Sequence, residues 1–240
     1  MASIKTPKGR LYYNPINLYL GIKPIDREIA FDNLRILLKV LKDKDILVSP
    51  ALGTLLGIIR DNNFIEWDED IDLFVLQEDK SKLLNSFWDL QALGFDLVRV
   101  DRCGLLYSIM RRGEYIDFYI MEKLSPEVRY SADIFMLDRH LTDLMEWNFR
   151  GLSILVPKDY EEFLELRYGD WRTPVKYACF DMSEFERSKR KMINLIKSII
   201  PYHLKRWLLK MYHKKDYYKF LSRCDAKGIV FKQPIHYSSF

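Results

Sequence analysis

Residues 66–76 read Glu-Trp-Asp-Glu-Asp-Ile-Asp-Leu-Phe-Val-Leu, an acidic stretch that runs directly into an apolar one. Successive side chains in a strand point to opposite faces, so Asp70 and Asp72 share one face and Ile71 lies on the other. Two carboxylates about 7 Å apart on one strand face repel each other. The pair is tolerated in a hydrated acidic turn before a strand, or around a divalent cation such as Mg²⁺. The stretch alone leaves both interpretations open.

A second candidate strand, residues 115–120, reads Tyr-Ile-Asp-Phe-Tyr-Ile and contains Asp117. Asp is uncommon inside a strand, although a local hydrogen bond would account for it. If this strand lies beside the first, Asp70, Asp72 and Asp117 converge. Two of them could then hold one metal ion, while the third holds a second ion or accepts the proton of an attacking hydroxyl.

The segment upstream of the acidic stretch predicts a helix that begins near Gly53 and Thr54. Free backbone N–H groups at a helix start favour a phosphate, and glycine permits its close approach. The Thr54 hydroxyl can also donate to a phosphate oxygen. The alternative is that Gly53 serves only the packing of the helix.

The spacing of apolar residues predicts the remaining elements. Helices are expected over residues 26–43, 49–60, 79–93 and 159–167. The second is expected to begin at Ser49-Pro50, with Ser49 as its cap and Pro50 in its first turn. Strands are expected over residues 46–48, 71–76, 96–100, 105–111, 115–121 and 152–156, with a hairpin turn at 112–114. This order predicts an α+β fold in which a small mixed β-sheet is flanked by helices.

We expect three regions: an extended N-terminal arm over residues 1–25 that packs on the body, a main domain over 26–180, and a helical basic C-terminal region over 181–240. Residues 186–223 carry twelve Lys or Arg and two acidic residues, a net charge of +10, whereas residues 1–185 carry −7. Apolar stripes at 192–200 and 204–211 predict helices. Such helices can lie on an anionic membrane face, or their stripes can pack on the body with the basic side chains solvated.

Composition excludes several classes of protein. Hydrophobic residues make up 48% of the chain and charged residues 30%, which is typical of a globular protein. The three cysteines, Cys103, Cys179 and Cys224, are far apart and odd in number, so reduced cysteines in a cytoplasmic protein are expected rather than a disulfide framework or a zinc site. We expect neither a secretory signal nor a membrane span, and no nucleic acid as a partner because no binding motif is recognised.

Four landmarks in order resemble the LicD family, which includes the fukutin-related domains of the polymerase-beta-like nucleotidyltransferase superfamily. They are Gly-Thr-Leu-Leu-Gly at 53–57 with Arg60, Phe-Ile-Glu-Trp-Asp-Glu-Asp-Ile-Asp at 64–72, Tyr-Ile-Asp-Phe at 115–118, and Val156-Pro157 followed by Tyr-Gly-Asp-Trp-Arg-Thr-Pro at 168–174. The resemblance covers roughly residues 45–176. The chain departs from the family pattern at Asn63, Glu66 and Glu69, where Gly, Pro and Asp are usual. The cysteine-based zinc site of some fukutin-related members has no counterpart.

The resemblance implies a nucleotidyltransferase-like catalytic domain over residues 26–180. It implies metal-dependent transfer of a phospho-alcohol or phospho-sugar, such as phosphocholine or ribitol phosphate, from a CDP-linked donor to a hydroxyl of a cell-surface glycan or its lipid-linked precursor. Asp70, Asp72 and Asp117 are the implied catalytic residues and ligands of Mg²⁺ or Mn²⁺, with Asp117 as ligand or base. The expected location is the cytoplasm, with the basic C-terminal helices at the inner membrane if they do not pack on the body.

Seven further residues are candidates for contact with substrate or phosphate: Gly53, Thr54, Arg60, Asp68, Tyr168, Asp170 and Arg172. Arg60 can reach a phosphate or form an ion pair with Asp61 or Glu66. Asp170 and Arg172 can contact donor or acceptor, or form a salt bridge at a helix end. Two other functions stay open: a nucleotidyltransferase that adds NMP from an NTP to a small molecule, and a non-catalytic module that binds glycan or lipid.

Overall fold

The acidic strand lies inside a mixed sheet of seven strands. The structure, a computed structural model, describes residues 1–18, 23–101, 103–131, 134–176 and 202–232. In chain order its elements are β1 (Ala2–Thr6), β2 (Gly9–Tyr13), α1 (Arg27–Asp43), β3 (Val48–Pro50), α2 (Leu52–Asp61), β4 (Ile71–Leu76), α3 (Lys80–Ala92), β5 (Asp96–Val100), β6 (Leu106–Arg111), β7 (Glu114–Lys123), β8 (Val128–Ser131), β9 (Ile134–Leu137), α4 (Arg139–Thr142), β10 (Leu144–Phe149), β11 (Leu152–Pro157), α5 (Tyr160–Tyr168) and α6 (Tyr202–Ala226).

The main sheet pairs its strands in the order β3, β4, β7, β6 and β5, and β8 and β9 extend it from the end of β7. The pair β4–β7 is parallel, whereas the other pairs are antiparallel. Two separate hairpins, β1–β2 and β10–β11, accompany the sheet. The predicted α+β class with a mixed sheet flanked by helices is therefore confirmed.

The two faces of the sheet have different neighbours. On one face, Phe87 of α3 packs on Tyr107 of β6 and Phe118 of β7, with ring centroids 6.0 Å apart in both pairs. On the other face, Phe74 of β4 packs on Phe163 of α5, again at 6.0 Å. Since side chains alternate along a strand, Asp72 lies on the same face as Phe74. The acidic residues therefore face away from α3.

Helix α1 confirms its predicted position over residues 26–43. The Asp26 carboxylate accepts hydrogen bonds from the backbone N–H groups of Glu28 and Ile29, both at 3.1 Å, and so caps the helix. Its buried apolar residues recur at helical spacing: Ala30, Leu34, Leu37 and Leu41. The helix is thereby held to the core by one face.

The boundary predicted at residues 46–50 is wrong. Ser49 and Pro50 lie in β3, opposite Phe74 and Leu73 of β4, so neither residue begins the next helix. Helix α2 begins at Leu52, and its cap residue Ala51 makes no side-chain hydrogen bond. Proline is compatible with the end of an edge strand, where its missing N–H costs no ladder bond. The strand therefore continues through Ser49 and Pro50, two residues past the end predicted from the apolar run, and the helix begins correspondingly later.

The N-terminal arm, expected to be extended, folds as the β1–β2 hairpin. It does pack on the body: Trp88 Nε1 of α3 donates to Thr6 Oγ1 at 3.1 Å, and the Lys8 backbone N–H donates to Asn85 Oδ1 at 3.1 Å. The short strands β8, β9 and β10 were also not predicted from the sequence. Each has four to six residues, and its alternation is too short to separate it from a loop.

The described C-terminal half of α6 packs on the body. Tyr217, Phe220 and Cys224 are buried in a cluster with Phe135 of β9. Arg223 Nη1 donates to the carbonyl oxygens of Leu166 and Arg167 at the end of α5, at 2.7 and 3.0 Å. The stripe at 192–200 and the side chains of 204–211 lie outside the described residues. Among the helices that are described, none is long and apolar enough to cross a membrane.

Candidate active site

Four polar residues form a row across four adjacent strands. In the register of the sheet, Asp72 of β4 lies opposite Asp117 of β7, Asp117 opposite Ser108 of β6, and Ser108 opposite Arg99 of β5. Paired residues in neighbouring strands project from the same face. The row is built by pairing between segments far apart in the chain, which sequence periodicity could not reveal.

Asp70 joins this row from the loop just before β4. One carboxylate oxygen from each of Asp70, Asp72 and Asp117 lies within 4.8 Å of the other two. Asp72 and Asp117 are only 8% and 2% exposed, and Asp70 is half-buried. The convergence predicted from the two acidic strands is therefore present in the structure.

The start of α2 fixes the backbone of Asp72 on both sides. The Asp72 backbone N–H donates to Thr54 Oγ1 at 2.8 Å, and the Asp72 carbonyl oxygen accepts from the Ala51 backbone N–H at 2.9 Å. Thr54 is fully buried. The hydroxyl expected to meet a phosphate thus already holds the acidic strand, and its predicted phosphate contact stays a prediction.

Gly53 makes room for Asp68. A Cβ atom at position 53 would overlap Asp68 Oδ2, the end of a flexible side chain. Asp68 Oδ1 accepts from the Glu69 backbone N–H at 3.2 Å, and the Asp68 carbonyl oxygen accepts from the Ile25 backbone N–H at 2.8 Å. Gly53 and Thr54 therefore allow the acidic residues 68–72 to pack closely on the start of α2.

Burial and the charges of nearby carboxylates raise the pKa of Asp68, Asp70, Asp72 and Asp117. For Asp70 and Asp72 burial is the largest cause, followed by the charge of Asp72 and Asp117 on Asp70 and that of Asp117 on Asp72. Burial raises the pKa of Asp117 to about 6, against the opposing effect of Arg99. Burial and the Glu69 charge raise the pKa of Asp68 to about 6. A bound cation would offset the repulsion between these buried carboxylates and stabilise their charged forms.

The donor set fits a hard divalent cation. Asp117 Oδ1 is buried and has no hydrogen-bond partner, whereas Asp117 Oδ2 accepts from Arg99 Nη2. A buried carboxylate oxygen without a partner is costly unless a ligand completes its environment. Carboxylate oxygens are preferred ligands of Mg²⁺ and suit Mn²⁺. The three carboxylates are therefore suited to hold such an ion.

Comparison with protein families matches the segment that carries these carboxylates to a known family. Residues 51–159 match the LicD family model. Its description is LicD/FKTN/FKRP, nucleotidyltransferase domain, and the matched segment contains all three carboxylates together with Gly53, Thr54, Arg60 and Asp68. The resemblance predicted from the sequence landmarks is confirmed, although residues 168–174, the last landmark, lie beyond the matched segment.

The LicD-like segment also has a curated relative, the uncharacterized protein RP689 of Rickettsia prowazekii (strain Madrid E). The two are 27% identical over 134 residues, which is 52% of this chain and 47% of that protein. The alignment thus spans about half the length of the relative.

Two solved structures bear a distant likeness to the chain. The lincomycin-bound lincosamide antibiotic adenylyltransferase LnuA has 12% identity and a TM-score of 0.43, covering 67% of this chain and 93% of its own. ANT(2")-Ia in complex with adenylyl-2"-tobramycin has 13% identity and a TM-score of 0.39, covering 78% of this chain and 99% of its own. Both TM-scores are below 0.5, so neither likeness indicates a substrate.

Three of the residues predicted to contact substrate or phosphate are hydrogen-bonded or ion-paired to other side chains of the protein. Arg60 pairs with Asp61 through Nε and Nη2, at 2.8 and 2.7 Å. Asp170 Oδ2 accepts from Thr173 Oγ1 at 2.7 Å. Arg172 pairs with Glu161 at 2.6 Å. For Arg60 and Arg172 the structure shows the ion-pair alternative, and a contact of these residues with substrate stays a prediction.

Tyr168 lies on the wall of a cavity of about 360 Å³ between β9, α5 and α6. Tyr168 is 40% exposed, and the partial burial of its hydroxyl raises its pKa; the charge of Arg167 opposes this and those of Asp72 and Asp68 add to it. Aromatic, aliphatic and basic side chains line the rest of the cavity, together with the acidic Asp216; among them are Phe135, Phe163, Phe220, Lys219 and Arg223.

Sequence reasoning missed four residues at the site: Arg99, Ser108, Tyr115 and Tyr119. Tyr115 and Tyr119 flank Asp117 at alternate positions of β7, and burial together with the acidic cluster raises the pKa of both. The same alternation that placed Asp117 would have placed these tyrosines on its face. Arg99 and Ser108 gave no such signal, because only strand pairing brings them to the site.

Two glycine substitutions should have different effects, one on the rate of transfer and the other on the stability of the fold. In Gly53→Ala the new Cβ displaces only the Asp68 carboxylate, so we expect folding with transfer lowered about tenfold or more. In Gly57→Ala the new Cβ would lie 2.6 Å from the Asn63 carbonyl oxygen, a backbone atom, so we expect unfolding free energy to fall by about 1–3 kcal/mol. Urea denaturation and initial rates measure the two effects. If Gly53→Ala lost stability and Gly57→Ala did not, these separate roles of the two glycines would be contradicted.

Proposed function

We propose that this protein transfers a phospho-alcohol or phospho-sugar from a CDP-linked donor to a hydroxyl of a cell-surface glycan or its lipid-linked precursor, in a metal-dependent reaction. The observation that carries the proposal is the convergence of Asp70, Asp72 and Asp117 inside a segment that matches the LicD family model. The family match supports a transferase with a nucleotidyltransferase domain. The donor and acceptor are the part proposed here.

In this proposal the three carboxylates hold Mg²⁺ or Mn²⁺, with Asp117 Oδ1 as one ligand atom. The ion, when bound, supplies positive charge to the diphosphate of the donor and to the phosphoryl group that moves. Thr54 and Ala51 keep Asp72 in place through its backbone. A rigid ligand set of this kind lowers the barrier by positioning and by electrostatic stabilisation.

We assign the organic part of a substrate to the cavity beside Tyr168. Its lining combines the basic Lys219 with the acidic Asp216, which suits a polar or charged group, and its phenylalanine rings offer apolar and stacking contact. We place the protein in the cytoplasm, where nucleotide-activated donors are made. Since one side of α6 packs on the body, the membrane contact in this proposal falls to exposed basic side chains such as Lys214 and Lys215.

Product analysis tests the proposal directly. Purified protein with Mn²⁺ is screened by thermal shift against CDP-choline, CDP-ribitol, CDP-glycerol, CTP and ATP, and each hit is then incubated with glycan acceptors. We expect a CDP-linked donor to raise the melting temperature and CMP to be released on transfer. Pyrophosphate released from an NTP would instead show nucleotidyl transfer to a small molecule. Absence of binding to any divalent metal or nucleotide would favour a non-catalytic glycan- or lipid-binding module.

A further inference from the structure

Asp117 uses its two carboxylate oxygens differently. Asp117 Oδ2 accepts from Arg99 Nη2, whereas Asp117 Oδ1 is buried and without a partner. A carboxylate held at one oxygen has its other oxygen fixed in direction. The hydrogen bond to Arg99 therefore helps to fix the direction of Asp117 Oδ1, together with the Ser108 hydroxyl, which also interacts with this carboxylate.

Arg99 is itself anchored. Its Nε donates to Ser108 Oγ at 2.8 Å, and Ser108 is fully buried between Arg99 and Asp117 in the row across the sheet. The register of β5 with β6 shifts between Leu97 and Arg99. Irregularities of this kind re-aim a side chain. The planar guanidinium then spans β6 and bonds both Ser108 and Asp117, which a lysine could not do with the same geometry.

We propose that Arg99, held by Ser108, is a positioning residue that orients Asp117 for metal binding. This inference rests on the proposed function. Hydrogen bonds to the non-coordinating atoms of a ligand side chain fix its orientation, and their loss typically lowers metal affinity 10- to 100-fold. Arg99 acts through Asp117 and needs no contact with the reacting atoms. A cation that merely competes with the metal for Asp117 would have the opposite effect on affinity.

The test is Mn²⁺ titration by calorimetry on the full chain with no donor present. For Arg99→Met we expect the Kd for Mn²⁺ to rise about 10- to 100-fold. Ser108→Ala keeps the Arg99 charge but removes both the anchor of Arg99 and the Ser108 contact with Asp117, so we expect a smaller rise, about threefold to tenfold, in the same direction. Ser108→Ala also keeps the inference testable if Arg99→Met does not fold.

Arg111→Met is the matched control. The Arg111 side chain is 20% exposed, close to the 22% of Arg99, and it pairs with Asp32 on the other face of the sheet. We expect its Kd for Mn²⁺ to equal that of the wild type, whatever its melting temperature. Unchanged or tighter Mn²⁺ binding in folded Arg99→Met would overturn the inference and leave the proposed function standing. Failure of the wild type to bind Mn²⁺ or Mg²⁺ would overturn both.

Discussion

Asp72→Asn is expected to abolish transfer, lowering the initial rate roughly 1,000-fold or more. The substitution removes one of three converging carboxylates, and a bound metal supplies several kcal/mol of charge stabilisation, each 1.4 kcal/mol being about tenfold in rate. The fold should persist, because the contacts that Asp72 makes with Thr54 and Ala51 use its backbone. The measurement is the initial rate with a CDP-linked donor, together with a circular dichroism spectrum.

Asp96→Asn provides the control, since Asp96 begins β5 and is exposed. We expect wild-type rates from it. Near-normal turnover in Asp72→Asn would show that the cluster is not the metal site of the reaction, and the proposed function would fall.

The same variant should gain stability in the absence of metal, and the gain should depend on pH. Burial, with the charges of Asp117 and Asp68, raises the pKa of Asp72 in the folded protein. A raised pKa means that the folded state is favoured below the unfolded pKa, near 4, and loses that contribution as pH rises through the folded value. Asp72→Asn removes this loss. In EDTA we therefore expect it to exceed the wild type in stability by about 1–3 kcal/mol at pH 7.5 and by less at pH 5.

Urea denaturation at the two pH values measures this difference. Added Mn²⁺ should stabilise the wild type and leave Asp72→Asn unchanged, because ligand binding to the folded state alone raises stability. A variant less stable than the wild type in EDTA at both pH values would contradict the electrostatic account of the cluster.

Arg129→Met is expected to cause the largest loss of stability, about 3 kcal/mol. Arg129 of β8 is only 2% exposed, and its guanidinium makes four hydrogen bonds: to both Glu78 oxygens at 2.8 and 3.0 Å, to Asp138 Oδ1 at 2.6 Å and to the Met121 carbonyl oxygen at 3.1 Å. It thereby ties the turn after β4 to the end of β7 and to the start of α4. Methionine fills much of the volume and leaves these acceptors without their donor.

Urea denaturation of Arg129→Met tests this, with Arg35→Met as its control. Arg35 pairs with Asp32 on the surface of α1, where its side chain is 58% exposed, so its loss should cost less than about 1 kcal/mol. Equal effects of the two substitutions would show that the buried network around Arg129 adds little to stability.

Most of the local structure followed from the sequence. β4 over residues 71–76 and β5 over 96–100 were predicted with the bounds that the structure has, since alternating or continuous apolar residues are a local signal. α1 was predicted to within one residue because its apolar stripe is long and regular. The boundary at Ser49 and Pro50 failed, because pairing with β4 outweighs the preference of proline for a first helical turn.

Gly53 and Thr54 show the limit of motif reasoning. The sequence singled out Gly53 and Thr54 as contacts for phosphate, and that contact stays a prediction. The structure adds a reason of a different kind: Gly53 gives space to Asp68, and Thr54 holds the backbone of Asp72. A motif marks where close packing is required, and only the fold shows what is packed there.

The sequence by itself determined the three carboxylates, the strands that carry two of them, and the family resemblance, because acid spacing and apolar alternation are properties of short segments. Tertiary structure decided that β4 and β7 pair in parallel, with Asp72 opposite Asp117. It also decided that Ser108 and Arg99 continue that row and leave one Asp117 oxygen buried and unpartnered. These relations depend on the register between strands distant in the chain, which no single segment encodes.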